Sequence, residues 1–265
     1  MRNISTHTKR LIELYRDTEF KASFTQNYLR RFSLARIEQE YVWAFSAITN
    51  SIATASTPSL SSLSNESIKR ILLSMSTAGL SFDPQEKHFY LNAEIGANGT
   101  LIPRVILGYL GMKQLAMNSG LVSSIDYDIA HEGDSFTWYG PNKEPAFSSS
   151  NRNFDNEIIC GYVCLYMKDG TVHSYRMSSS ALLSMEATDI QMRENMGKES
   201  SLYNGPWRER CLRIALWRCA YHEFKHMFTA DELLLDKKYN KTHSDMTLMG
   251  DKYGARLNNT AEVVL

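Results

Sequence analysis

The sequence predicts an α+β fold: a mostly antiparallel sheet packed with a long helix and flanked by an N-terminal helical region. Three observations point there. Apolar residues recur at helical spacing over residues 5–50. Between residues 88 and 176 the pattern changes to short strand-like runs separated by turn signals. Helical periodicity then returns after Ser178.

The elements follow in order. Leu11, Leu14 and Tyr15 form one apolar stripe, and Tyr28, Phe32, Ala35, Gln39 and Val42 a weaker second one. No Gly or Pro interrupts them before Pro58, so residues 5–50 read as helical throughout. Thr54–Ser67, rich in Ser and Thr, reads as a linker or exposed loop. A helix is expected next, capped by Ser64 or Asn65, closed by Gly79, with Ile68, Ile71, Leu72 and Met75 on one face.

His88–Ile95 and Thr100–Leu107 read as a hairpin turning at Gly96-Ala97-Asn98-Gly99, followed by a helix from Tyr109 that ends at Gly120. Leu121–His131 and Ser135–Trp138 read as a second hairpin across Glu132-Gly133-Asp134. Glu157–Met167 and Thr171–Arg176 make a third across Lys168-Asp169-Gly170. A helix from Ser178 to about Asn195 comes next, then a last long helix from Pro206 to about Phe228. The domain division expected is 1–60 helical, 61–228 an α+β core and 229–265 a mobile tail.

Composition narrows the functional classes. Lys plus Arg is 29 and Asp plus Glu is 29, which argues against attraction to nucleic acid by bulk charge but not against a local basic groove. No apolar run approaches the ~18–20 residues that span a bilayer, and the polar N-terminus lacks a leader-like stretch. Cys160, Cys164, Cys211 and Cys219 form no C-x-x-C pair, the usage expected of reduced thiols in a cytoplasmic protein. No P-loop, G-x-G-x-x-G or G-x-S-x-G is present, which excludes the usual ATP-driven motors and nucleophile-elbow hydrolases.

Two constellations stand out. His222-Glu223-x-x-His226 matches the zinc-hydrolase pattern, two ligands one helical turn apart with a carboxylate to polarise water. It lacks a well-placed third ligand, since His243 and Glu262 lie in the expected tail. The histidines also share a face with Ala215 and Cys219, which favours packing. The zinc hydrolase is therefore the alternative reading. Around it, Trp207, Arg208, Arg210, Arg213, Trp217, Arg218, Tyr221 and Lys225 interleave cations with rings, opposed by Glu209 and Glu223. Single-strand binders use this pairing, with cations on phosphates and rings under bases. The same composition also fits a core helix with solvated arginines. Arg104 and Lys113 are further cationic candidates.

Several segments together resemble a family. Gly79-Leu80, Pro84 and Tyr90 are similar to the G-L-x-P…Y entry of the RecT/Bet phage single-strand annealing proteins. Gly108-Tyr109-Leu110-Gly111-Met112 with Leu115-Ala116-Met117-Asn118-Ser119-Gly120 resembles that family's G-Y-R-G-M…L-A-x-x-S-G signature. Glu132-Gly133-Asp134-Ser135-Phe136, Lys168-Asp169-Gly170 and Gly205-Pro206-Trp207 resemble its E-G-D-x-F, K-D-G and G-P-W segments, in the family's order over about residues 66–228. Leu110 departs from the family arginine, and Arg210-Cys211-Leu212-Arg213 is closer to the Bet branch.

The resemblance implies a cytoplasmic phage recombinase that needs neither ATP nor a cofactor and makes no bonds. It would bind single-stranded DNA, anneal it to its complement, hold the duplex in a homo-oligomeric ring or helical filament, and work with a partner phage exonuclease. Residues 1–60 would serve oligomerisation, and any C-terminal partner domain would be reduced or absent. The DNA-binding residues it implies are Lys87, Arg104, Tyr109, Lys113, Lys168, Arg208, Arg210, Arg213 and Arg218.

Overall fold

The N-terminal helical region breaks wherever a polar side chain takes up the free N–H groups of a new helix. The computed structural model describes residues 6–51, 58–96, 98–149, 153–195, 203 and 205–227. In it α1 spans Thr6–Tyr15, α2 Thr18–Tyr28 and α3 Leu34–Thr49. Asp17 and Ser33, both extended, accept the N–H of Phe20 and Arg36 and so start α2 and α3 without Gly or Pro. The described part of this region, residues 6–50, therefore forms three helices rather than one continuous run. The break also shifts the phase of the second stripe. Ala35, Gln39 and Val42 are exposed, and α3 buries Ile37, Tyr41, Ala44, Phe45 and Ile48 instead.

The next helix, α4 (Asn65–Ala78), starts at Ser64, whose side chain accepts the Ser67 N–H, and stops at Gly79. Gly79 has φ +66°, a left-handed conformation that a side chain rarely adopts, and its N–H returns to the last turn of α4. Strands β1 (Phe89–Ile95) and β2 (Leu101–Leu107) form the expected hairpin, and α5 (Tyr109–Asn118) follows. Phe20, Phe24, Tyr28, Tyr41, Leu72, Met75, Leu80 and Phe82 form one core with residues of α1 and α3. Phe89, Leu91, Leu101, Val105 and Leu107 of the hairpin pack against that core.

This shared core explains why residues 1–115 form one unit and Ala116–Phe228 a second. The boundary falls at 115/116, not at the Ser/Thr-rich stretch near 60, because the hairpin packs on the helices that precede that stretch. The buried residues of α1–α3 belong to this unit's core, while Ile12, Tyr15, Leu34 and Val42 stay exposed. Removing residues 1–50 would strip its core and not merely detach an assembly surface. The expected tail, 229–265, lies outside the described residues.

The G-Y-L-G-M segment has a local physical reason. The Gly108 N–H donates to the His88 carbonyl oxygen at 2.9 Å. A Cβ on Gly108 would lie 2.2 Å from the Lys87 carbonyl oxygen, and one on Gly111 1.9 Å from that of His88. Backbone cannot give way as a flexible side chain can, so Gly111→Ala should destabilise the chain by about 2–3 kcal/mol. A lowered denaturant midpoint at unchanged slope would show this, and a wild-type midpoint would contradict it.

In the second unit β3 (Val122–His131), β6 (Ile158–Met167) and β7 (Val172–Ser178) form an antiparallel sheet in the order β3-β6-β7. The turn at 132–134 is present, but it does not make the expected hairpin. Here β4 (Ser135–Thr137) pairs with β5 (Ala146–Ser148), while β3 pairs with β6. The hairpin β6–β7 turns at 168–170, as expected. Helices α6 (Ser179–Asn195) and α7 (Arg208–Phe224) pack on this sheet. Gly161 of β6 lets them approach, since a Cβ there would press on Leu216 and Leu182. The sheet-facing side of α7 buries Leu212, Leu216, Trp217, Ala220 and Tyr221, with Trp217 stacked on Tyr127. The fold is α+β with antiparallel sheets, as the sequence predicts. Among the described residues no helix is long and apolar enough to cross a membrane.

Candidate functional site

In the first unit a buried polar cluster fixes the loop that carries Lys87. The Glu40 side chain is fully buried on α3 and accepts hydrogen bonds from Ser81 Oγ at 2.7 Å, the Phe82 N–H at 2.6 Å and Arg36 Nε at 2.9 Å. Burial raises the Glu40 carboxyl above its ordinary range even with these donors. Arg36 reaches Glu86 at 2.5 Å and Asp83 at 3.4 Å, and its guanidinium lies 4.6 Å from the Trp43 ring centroid. His88 Nδ1 accepts the Ser81 N–H at 2.9 Å, and burial lowers the imidazole pKa. Residues 81–88 are thus tied to α3 from both ends.

Lys87 sits on this loop, exposed, with φ +49°. That left-handed conformation in a residue with a Cβ is a small stored strain. The other cations of this unit differ in setting. Arg104 on β2 bonds Glu94 on β1 at 2.6 Å, so a carboxylate already neutralises its charge. Tyr109 and Lys113 lie one turn apart on α5, both half-buried.

The second unit sorts its cations in the same way. Lys168 opens the β6–β7 turn, exposed, with its backbone N–H held by the Leu121 carbonyl at 2.8 Å. Arg208 donates twice to Glu186, at 2.7 and 2.8 Å, a bidentate pair that fixes the start of α7 against α6. Arg213 Nη2 lies 2.6 Å from Asp128 on β3 and 3.2 Å from Glu209, close as ion pairs although that nitrogen lacks hydrogen-bond geometry. Glu209 also meets Nε2 of the buried His131 at 3.1 Å, and His131 Nδ1 lies 3.0 Å from the Asn156 carbonyl. Arg218 is half-buried on α7. Arg210 is exposed, 5.7 Å from the Trp207 ring centroid.

Of the nine residues implied by the sequence, Lys87, Lys168 and Arg210 are exposed cations without a carboxylate partner among the described residues. Arg104, Arg208 and Arg213 are committed to carboxylates. Sequence reasoning missed Arg36, Glu40 and His88. The i,i+4 spacing of Arg36 and Glu40 was the available signal, but that spacing is common on solvated helix faces.

The His222-Glu223-x-x-His226 segment straddles the end of α7. His222 is half-buried in the helix, Glu223 is exposed, and His226 falls in the 3-10 turn Lys225–Met227. Among the described residues no group of three or more His, Cys, Asp or Glu is placed to hold a metal ion. His243 and Glu262 lie outside those residues.

A model described as RecT family matches residues 44–245. The chain belongs to the RecT family. The match starts within α3 and takes in every segment that carried the resemblance. A search of curated proteins found no match. As a RecT-family protein the chain belongs with single-strand annealing and recombination proteins. In this RecT-family chain the G-L-x-P-like loop and the G-Y-L-G-M segment meet backbone to backbone, through Lys87, His88, Gly108 and Gly111.

Proposed function

We infer that the chain is an ATP-independent protein that binds single-stranded DNA and pairs it with its complement inside a homo-oligomeric ring or helical filament. The family match over residues 44–245 carries this reading. Annealing without sequence preference needs contacts to phosphate and bases left accessible to the incoming strand, not readout of base edges. Lys87 in the first unit and Lys168 and Arg210 in the second are suited to the phosphates, because they are exposed and make no ion pair among the described residues. Arg104, Arg208 and Arg213 hold the fold beneath, and Tyr109, Lys113 and Arg218 are secondary candidates.

Zero net charge is compatible with this function, since an oligomer repeats modest contacts along one strand. The reading places the protein in the cytoplasm, assigns residues 1–60 to contact between copies, and expects a phage exonuclease as the enzyme that exposes the strand. Electron microscopy with no DNA, one oligonucleotide, then its complement tests it. Rings or filaments that grow when the complement follows the first strand are expected. Particles indifferent to DNA in all three states would contradict the reading.

A further inference from the structure

A half-exposed tryptophan stands just before α7. Trp207 has φ −91° and ψ −5° and makes no side-chain capping bond. Trp207 is 52% exposed, whereas Trp217 within α7 is fully buried. The Arg210 guanidinium lies over the Trp207 ring at 5.7 Å and makes no ion pair among the described residues. Arg208, between them, is clamped to Glu186 by two hydrogen bonds, so ring and guanidinium stand on a fixed helix start. A large aromatic residue that gains so little burial points to a use outside the folded chain.

We propose that Trp207 and Arg210 form a stacking platform for an unpaired nucleobase. This deepens the single-strand reading above and rests on it. The indole face opposite the guanidinium takes the base, and the guanidinium, which lies over the other face, reaches the neighbouring phosphate. Every base has a π-face, so such a platform tolerates any sequence, as annealing requires. A base stacked inside a duplex presents no free face, so the platform favours a strand that has not yet paired.

The test compares the full-length wild type, Trp207→Ala and Trp207→Phe on an oligothymidylate and on an abasic oligonucleotide of equal length. Trp207→Ala should bind oligothymidylate roughly tenfold more weakly, Trp207→Phe should keep most of the affinity, and all three should bind the abasic strand alike. Equal loss on both strands, or no loss on either, overturns the platform. So does an oligomeric state that changes in Trp207→Ala without DNA, which would assign the ring to contact between copies. Should Trp207→Ala fail to fold, Trp207→Leu keeps the bulk without the aromatic face and carries the same comparison. A wild type that binds neither strand overturns the single-strand reading itself.

Discussion

Replacing Arg36 by methionine should cost about 3 kcal/mol of stability, because it leaves Glu40 buried with no counter-charge. The methionine keeps much of the packing on Trp43, so the loss reports mainly on charge. Asp83 and Glu86 lose the same partner, and the loop 81–88 loses one of its ties to α3. The pH dependence has a definite sign. Burial already raises the Glu40 carboxyl, and removing Arg36, which lowers it, raises it further. A carboxyl whose folded pKa is raised takes up its proton more readily in the folded state, so folding is favoured as pH falls toward the carboxylate range. Arg36 also lowers the His88 pKa, so its removal lets that imidazole charge more easily in the folded state. Both effects shrink the deficit of Arg36→Met in mild acid. Denaturant unfolding of wild type and variant at neutral and mildly acidic pH measures this. A deficit that widens on acidification would contradict the buried-charge origin.

Neutralising Lys87, Lys168 and Arg210 together should weaken single-strand binding at least tenfold at physiological salt. It should also reduce the slope of log affinity against log salt by about two, at ~0.7 per phosphate contact on a single strand. The loss should be the same for all sequences, as expected of phosphate contacts. Arg208→Ala and Arg213→Ala should behave differently. Removing either takes an ion-pair partner from part-buried carboxylates, Glu186 in one case and Asp128 with Glu209 in the other. Their main effect is therefore a lower unfolding midpoint, with the salt slope of the folded fraction near wild type. A triple variant with the wild-type slope would show that these three cations do not touch DNA.

The sequence made the local features legible and the nonlocal ones less so. Ser64 and Gly79 bracketed α4 correctly because caps act within four residues of their own positions. The β1–β2 and β6–β7 hairpins were readable from their turns. Asp17 and Ser33 are equally good caps, yet the absence of Gly and Pro nearby suggested one continuous helical region. The pairing of β3 with β6, and of the three-residue strands β4 and β5, depends on contacts across loops that no short-range pattern encodes. At the site, residue types marked Arg208, Arg210 and Arg213 alike. Only the folded chain separates them: Glu186 is 22 residues from Arg208 in sequence, and Asp128 reaches Arg213 from another element. The Glu209–Arg213 pair, at i,i+4, was the one readable commitment.

The most direct measurement is the annealing of two complementary oligonucleotides by the purified chain, with no nucleotide triphosphate and with metal chelated. The strands are added in sequence and pairing is followed by energy transfer between end labels. Pairing much faster than the spontaneous reaction, with the duplex retained on the protein, is the predicted result. Pairing at the spontaneous rate, or acceleration only when ATP is supplied, would contradict it.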